Sequence, residues 1–161
     1  MRWIAPVCAL SLFGCAVRGP GYIPAPSPAA ADVLVYIYRP DNFALGKRDA
    51  YFYVDDVNVA DVSANGYTWF HVPAGEYIFQ QKWPFDVTLG TRTLTLKVQW
   101  LPGRTYFYRL ETARHSPKIV WRLSEAPADE ANIQIAKCKL QPALGVEKLR
   151  ERISRKCTAC I

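Results

Sequence analysis

The sequence is poor in the residues that most often build catalytic and metal sites. Only two histidines are present, His71 and His115, and they lie in separate segments without assignable partners. A zinc site, or a nucleophile with its base, needs several such residues together. The acidic residues Asp55, Asp56 and Asp61 lack the regular oxygen spacing and the late glutamate of a calcium loop, so we interpret them as turn residues. We therefore expect no catalytic residues, no metal and no cofactor, and a protein that is not an enzyme.

A hydrophobic run long enough to span a membrane is also missing. The apolar run near the N-terminus extends only from Trp3 to Phe13, whereas about 20 residues are needed to cross the hydrocarbon core as a helix. The run follows a single positive charge and precedes Gly14 and Cys15, which is the order of a secretory signal. The sequence predicts that residues 1–14 are a signal peptide and are removed.

The end of this segment carries a known motif. Leu12, Phe13, Gly14 and Cys15 resemble the lipobox of bacterial lipoproteins, although Phe13 is bulkier than the residue usual at that position. The resemblance implies cleavage before Cys15 and acylation of this cysteine with fatty acids such as palmitate. Ala16, the next residue, implies an outer-membrane address that faces the periplasm. The alternative is an unmodified N-terminal segment in which Cys15 is only an apolar residue.

Residues 15–31 have the composition of a tether. They contain four prolines and two glycines and show no apolar periodicity. Proline-rich chain extends by about 3.1 Å per residue, so residues 16–31 could hold a domain up to about 50 Å from the bilayer. The predicted domain then covers residues 32–140, and residues 141–161 form a C-terminal tail.

The formal net charge of +6 is concentrated in the C-terminal end of the chain. Residues 15–136 carry twelve basic and twelve acidic side chains, whereas residues 137–161 carry seven basic and two acidic ones. A neutral domain with a basic tail lacks the basic groove and stacking residues that bind nucleic acid, so we expect no nucleic-acid partner. The composition of the tail predicts a basic amphipathic helix that binds the surface of anionic lipid or lipopolysaccharide. The alternative is a helix that packs on the domain or is merely solvated.

Short runs rich in β-branched and aromatic residues alternate with turn residues from residue 32 onward, which predicts an all-β fold. The expected architecture is a small antiparallel β-sandwich of seven or eight strands with one or two C-terminal helices. The predicted strands are 32–39, 50–54, 58–62, 67–72, 76–82, 91–100, 105–111 and 118–123. A helix is expected to start at Ser124, and Val146, Leu149, Ile153 and Cys157 have the spacing of a second one.

Several segments resemble a known group of proteins. The segments are VYIYRP (35–40), YVDD (53–56) with VA (59–60), NGYTW (65–69) and VPAGEY (72–77). They resemble bacterial envelope lipoproteins built on a small domain of unknown function and, more distantly, the PEGA type of surface β-domain. The resemblance covers about Val33 to Leu140 and implies a β-sandwich, an envelope location and no known catalytic residues. Asp56 replaces the usual glycine, so a wider turn is expected there.

Aromatic residues are the candidates for a binding surface, because they make up 13% of the sequence. Exposed rings on a sheet can stack on sugars or receive a partner protein, and core packing is the alternative. The candidate binding residues are Tyr53, Trp69, Trp83 and Trp100. The sequence leads us to expect a non-enzymatic, membrane-anchored lipoprotein that binds an envelope protein or a cell-wall glycan.

Three further cysteines offer an alternative function. Cys157 and Cys160 have the spacing of a redox dithiol, which would make the protein a periplasmic thiol-disulfide enzyme. A structural disulfide is the favoured interpretation, because the periplasm is oxidising. Cys138 paired with Cys157 or Cys160 would close a loop of about twenty residues and stabilise the fold by roughly 3 kcal/mol. Pairing of Cys157 with Cys160 remains open.

Overall fold

Nine strands and two helices are found in the computed structural model, which describes residues 19–40, 48–83, 93–115 and 118–158. In chain order they are β1 (Asp32–Arg39), β2 (Ala50–Val54), β3 (Val57–Val62), β4 (Gly66–Pro73), β5 (Gly75–Lys82), β6 (Leu94–Trp100), β7 (Thr105–His115), β8 (Lys118–Glu125), α1 (Ala128–Ile135), β9 (Lys139–Leu140) and α2 (Val146–Thr158). All eight predicted strands are therefore present, and residues 91 and 92 of the strand predicted over 91–100 lie outside the described residues. The predicted helix start at Ser124 is wrong, because Ser124 and Glu125 still pair with β7, and α1 begins only after Pro127.

The strands form two facing sheets, which confirms the predicted sandwich. One sheet has five strands in the order β8-β7-β1-β4-β9, and the other has four in the order β3-β2-β5-β6. The four-stranded sheet is antiparallel throughout, as expected. The five-stranded sheet is mixed, because β1 pairs with β7 and β4 pairs with β9 in parallel. Both parallel pairs join segments that are distant in the chain, so short-range turn signals could not indicate them.

The main core lies between the two sheets. Alternate residues of β1 point into it, and the same period of two brings Phe52 and Val54 of β2 and Phe79 of β5 to face them. The residues of β1 in this core are Val33, Val35 and Ile37. The other face of β1 is also buried, in a second apolar cluster that α1 covers with Ala131 and Ile135. A central strand that is buried on both faces explains why residues 33–38 are apolar without interruption.

Residues 19–31, predicted to be an extended tether, lie along the outer face of the five-stranded sheet. The Tyr67 hydroxyl accepts a hydrogen bond from the Ile23 amide (2.6 Å) and lies 3.1 Å from the Ile23 carbonyl oxygen. The Tyr36 hydroxyl accepts another from the Ala25 amide (2.9 Å). At the start of the segment, the Leu140 amide donates to the Pro20 carbonyl (2.9 Å). These contacts hold the chain against the domain from residue 20 onward.

The predicted tail is part of the domain. The Leu144 amide donates to the Val59 carbonyl (2.8 Å) at the edge of β3, and α2 then packs against β3 and β4. Leu149 of α2 is fully buried in the main core. Arg150 binds the Asp32 carboxylate (2.7 Å) and the His71 carbonyl (3.1 Å). The boundary predicted after residue 140 therefore does not separate two structural units, and the packed-helix alternative describes the first part of α2.

Neither helix in the described part of the chain combines the length and the apolar character needed to cross a bilayer.

Candidate functional site

Two of the four candidate binding residues are core residues. Trp100 is fully buried, and its indole NH donates to the hydroxyl of Tyr108 (2.9 Å) at the centre of the main core. Trp83 is also buried, with its ring centroid 4.7 Å from that of Trp121. Both lie on the inner side of their sheet by the period of two. The prediction that Trp83 and Trp100 are surface binding residues is therefore wrong, and the core-packing alternative is correct for them.

A buried arginine lies beside Trp83, and the sequence analysis missed it. The guanidinium of Arg39 is 5.2 Å from the ring centroid of Trp83 and 5.3 Å from that of Trp121. Burial lowers the pKa of Arg39 to about 10, so the group is still charged at neutral pH, and the two ring faces help to stabilise it. The signal was present in the sequence: Arg39 continues the inward series of Val33, Val35 and Ile37. These three side chains pack together at one end of the sandwich and have a structural role.

Tyr53 lies on the outer face of the four-stranded sheet, as a surface binding residue should. The ammonium of Lys82 is 4.7 Å from its ring centroid. Glu76, Ile78 and Lys97 also point outward on this sheet. Ile78 is 46% exposed, so it places an apolar side chain among the polar ones of this face. We refer to the surface formed by Tyr53, Glu76, Ile78, Lys82 and Lys97 as the Ile78 face.

A groove of about 450 Å³ lies on the Ile78 face. Its lining residues are Asp55, Glu76, Tyr77, Ile78, Lys97, Val98, Gln99 and Lys156. Asp55 and Lys156 form an ion pair (2.8 Å) that brings the end of α2 to its rim. Burial raises the pKa of Asp55, but the hydrogen bond from the Ile78 amide and the Lys156 ammonium outweigh this and lower it overall. Asp55 is therefore an anion at neutral pH, and the groove is lined by apolar residues together with charged residues of both signs.

The position of Asp55 depends on a tight turn. Asp55 and Asp56 alone connect β2 to β3, and both have positive φ values, 45° and 65°. Two such residues are the signature of a type I′ hairpin, which matches the twist of the strands. The wider turn expected from the departure at Asp56 is therefore wrong, because an aspartate tolerates this conformation. Asp55 thus serves as a turn residue, and its carboxylate accepts a hydrogen bond from the Ile78 amide.

Trp69 lies on the opposite side of the sandwich, on the outer face of the five-stranded sheet. Trp69 lines two cavities, of about 540 Å³ and 230 Å³. The larger cavity is lined by Gly19, Pro20, Trp69, Leu140, Gln141, Pro142 and Ala143. We refer to the surface formed by these residues as the Trp69 face. The structure thus keeps Tyr53 and Trp69 as surface residues but does not bring them together.

The histidines do not form a site in the described part of the chain. The His71 ring nitrogen Nε2 lies 3.0 Å from the carbonyl oxygen of Pro26, so His71 helps to hold the N-terminal segment. Its ring also contacts Trp69, with centroids 5.6 Å apart. The side chain of His115 lies outside the described residues. Within the described residues, no group of three or more histidine, cysteine or acidic side chains is placed to hold a metal ion.

The cysteine predictions are resolved only for Cys138. Its thiol is free and buried in the second cluster, where it donates to the Gln134 carbonyl (3.4 Å). The structure therefore differs from the favoured disulfide between Cys138 and the tail. Cys15, Cys160 and the side chain of Cys157 lie outside the described residues, so the lipidation of Cys15 and the pairing of Cys157 with Cys160 stay predictions.

Cys138 is expected to resist alkylation in the folded protein. Burial raises the pKa of its thiol to about 11, so almost no thiolate is present at pH 8, and the thiolate is the reactive form. After iodoacetamide treatment at pH 8, peptide mapping should find Cys138 unmodified in buffer and fully modified in 6 M guanidinium. Equal modification under both conditions would contradict its burial.

The comparisons with known proteins identify the domain but not its activity. No curated protein gives a significant match to the chain. A family model described as a protein of unknown function, DUF2846, matches residues 29–122, which is more than half of the 161 residues and spans the sandwich from β1 into β8. The chain belongs to the DUF2846 family.

Proposed function

We propose that the protein is a lipid-anchored lipoprotein of the bacterial envelope that works by binding another envelope protein, without catalysis. The anchor is Cys15, in the lipobox-like sequence that ends the N-terminal apolar run. The observation that carries the binding role is the exposed Ile78 at the centre of a polar sheet face. Acylation of one cysteine with several chains makes membrane attachment durable, because each buried methylene contributes about 0.8 kcal/mol.

The composition of the Ile78 face supports a protein partner. Protein interfaces place apolar and aromatic side chains at the centre and charged or polar ones at the rim. Ile78 and Tyr53 supply the first kind, while Glu76, Lys97 and the ion pair of Asp55 supply the second. A glycan would stack on an open ring face, and Lys82 covers one face of the ring of Tyr53. We therefore favour an envelope protein over a cell-wall glycan.

The location of the Ile78 face suits an anchored protein. The N-terminal segment, which leads to Cys15, runs along the five-stranded sheet. The Ile78 face belongs to the other sheet, so it points away from the side where the chain enters. A partner can then bind without competing with the membrane for the same surface.

The thiol-disulfide alternative receives less support. Cys138, which could have served as a third thiol near the dithiol, is buried and has a raised pKa, so it is an apolar packing residue. Of the remaining pair, Cys160 lies outside the described residues, and Cys157 lies in the last turn of α2, far from the helix N-terminus that would lower a thiol pKa.

Crosslinking from two matched positions tests the binding proposal. Ile78 and Val120 are both 46% exposed, apolar and within strands, but they lie on different sheets. Two variants of the full chain are produced in cells, one with a photoreactive amino acid at position 78 and the other with it at position 120. We expect one adduct of defined mass from position 78 and none from position 120, because only the Ile78 face is complementary to a partner.

A charge reversal at the rim provides the second control. Lys97→Glu should remove the adduct from position 78 without lowering the amount of folded protein, since Lys97 is exposed. Equal crosslinking from both positions would contradict the proposal. An adduct that disappears after digestion of the cell wall with a muramidase would instead identify a glycan and overturn the protein partner.

A further inference from the structure

We infer that the Trp69 face rests on the membrane surface, so that the anchored domain has a fixed orientation instead of moving freely on a tether. This inference rests on the proposed anchor at Cys15 and adds the lipid surface as the partner of a defined part of the fold. It concerns the side of the sandwich opposite to the Ile78 face.

The length of chain between the anchor and the domain is the first argument. The N-terminal segment is bound to the domain from Pro20 onward, through the hydrogen bond from the Leu140 amide. Gly19 is packed so closely that a Cβ atom there would lie 2.1 Å from the Leu140 carbonyl oxygen. Only residues 16–18 then separate Cys15 from Gly19, and four residue steps span at most about 14 Å. The lipid must therefore lie beside this part of the domain.

The chemistry of the same place is the second argument. On the Trp69 face, proline, leucine, alanine and tryptophan side chains surround a cavity of about 540 Å³. Among the residues that line this cavity, only Gln141 has a side chain that ends in a polar amide. Three large apolar side chains that lie one to three residues along the chain from this lining are exposed, namely Tyr22, Ile23 and Leu144. Trp and Tyr are the side chains enriched at the membrane–water interface, because their rings are apolar and their NH or OH groups are polar.

Charge is the third argument. α2 begins beside the Trp69 face, since Val146 and Glu147 line the smaller cavity together with Trp69. The first turn of the helix carries the exposed Lys148, whereas its last turns reach the Ile78 face, where Lys156 pairs with Asp55. Anionic lipid headgroups attract a basic side chain that lies near the membrane surface. The apolar cavity and Lys148 thus favour the same partner, an anionic bilayer.

Fluorescence quenching by brominated lipid tests this orientation in the whole mature chain. Residues 15–161 contain four tryptophans, and Trp83, Trp100 and Trp121 are buried, so Trp69 is the one placed to meet lipid. The chain is joined through Cys15 to a maleimide phospholipid in vesicles of phosphatidylethanolamine and phosphatidylglycerol with brominated acyl chains, after Cys157→Ser and Cys160→Ser. We expect bromine-dependent quenching in this protein and loss of most of it in Trp69→Phe.

A tryptophan moved to the other sheet is the matched control. Tyr53→Trp in the Trp69→Phe background places an indole on the Ile78 face, and bromine should not quench it. Quenching that persists in Trp69→Phe, or quenching that is equal for positions 69 and 53, would overturn the inference. Because the lipid is attached chemically, this result does not depend on whether cells acylate Cys15, and a failure of the anchor is distinguished from a failure of the orientation.

Discussion

Replacement of Trp100 by alanine is expected to lower the free energy of unfolding by about 3–5 kcal/mol. Trp100 is fully buried between the sheets, where its ring contacts those of Tyr77 (centroids 5.0 Å apart), Phe70, Phe79 and Tyr108. Alanine leaves a cavity that these rings cannot fill, and it removes the donor to the Tyr108 hydroxyl. Domains of this size have a total stability of about 5–15 kcal/mol, so this loss is a large part of the whole.

Urea denaturation measures this effect, and two further variants separate its causes. Trp100→Phe keeps an aromatic ring but leaves the buried Tyr108 hydroxyl without its donor, so we expect a smaller loss of about 1–3 kcal/mol. Ile78→Ala changes an exposed residue and should stay within about 0.5 kcal/mol of the wild type. A Trp100→Ala protein as stable as the wild type would show that Trp100 is a surface residue after all.

Removal of residues 141–161 is expected to abolish cooperative unfolding of the domain. The deletion exposes the part of the main core that Leu149 covers and removes the ion pair between Arg150 and Asp32. It also uncovers the edge of β3, where Leu144 now binds the Val59 carbonyl. An isolated sandwich that ends at Leu140 would present this apolar edge to water. The near-ultraviolet circular dichroism of the truncated chain should therefore lose its aromatic signal.

Point variants in α2 show whether packing or charge is responsible. Leu149→Ala should cost about 2–5 kcal/mol, because Leu149 is fully buried. Lys148→Ala changes the exposed neighbour and should alter stability by less than about 0.5 kcal/mol. A truncated chain with the same thermal midpoint as the full chain would mean that α2 is an independent tail, as the charge distribution first indicated.

Local patterns were sufficient to predict the strands. Alternation in β6, where Leu94, Leu96 and Val98 point inward and Thr95 and Lys97 outward, is visible in the sequence and is found in the structure. Turn residues separated the strands correctly, although the hairpin after Val54 is a tight two-residue turn and not the wider one expected from Asp56. These signals act over a few residues, so a single sequence reveals them.

Contacts between distant parts of the chain could not be predicted in this way. The docking of residues 19–31 depends on the hydroxyls of Tyr36 and Tyr67, which nothing in a proline-rich segment indicates. The burial of Trp100 and Trp83, in contrast, follows from the same period of two and was overlooked, because Trp100 continues the inward series of β6 and Trp83 continues that of β5. The Ile78 face was missed because an isoleucine in a strand is normally a core residue.

The two proposals assign a different role to each sheet of the sandwich. The five-stranded sheet receives the N-terminal segment and carries Trp69, and the four-stranded sheet carries Ile78 and Tyr53. With the proposed anchor at Cys15, the domain would lie within about 14 Å of the lipid, with one side next to the bilayer and the other directed away from it. The proposed binding role requires this order, because a partner in the envelope reaches only the side that faces away.

Acylation of Cys15 is the central claim, and the intact mass of the protein purified from the membrane fraction tests it most directly. We predict a chain that begins at Cys15 and carries the added mass of its acyl chains, together with incorporation of a palmitate analogue that Cys15→Ser abolishes and Cys138→Ala leaves unchanged. A chain that begins at Met1, carries no added mass and is recovered from the soluble fraction would contradict the account.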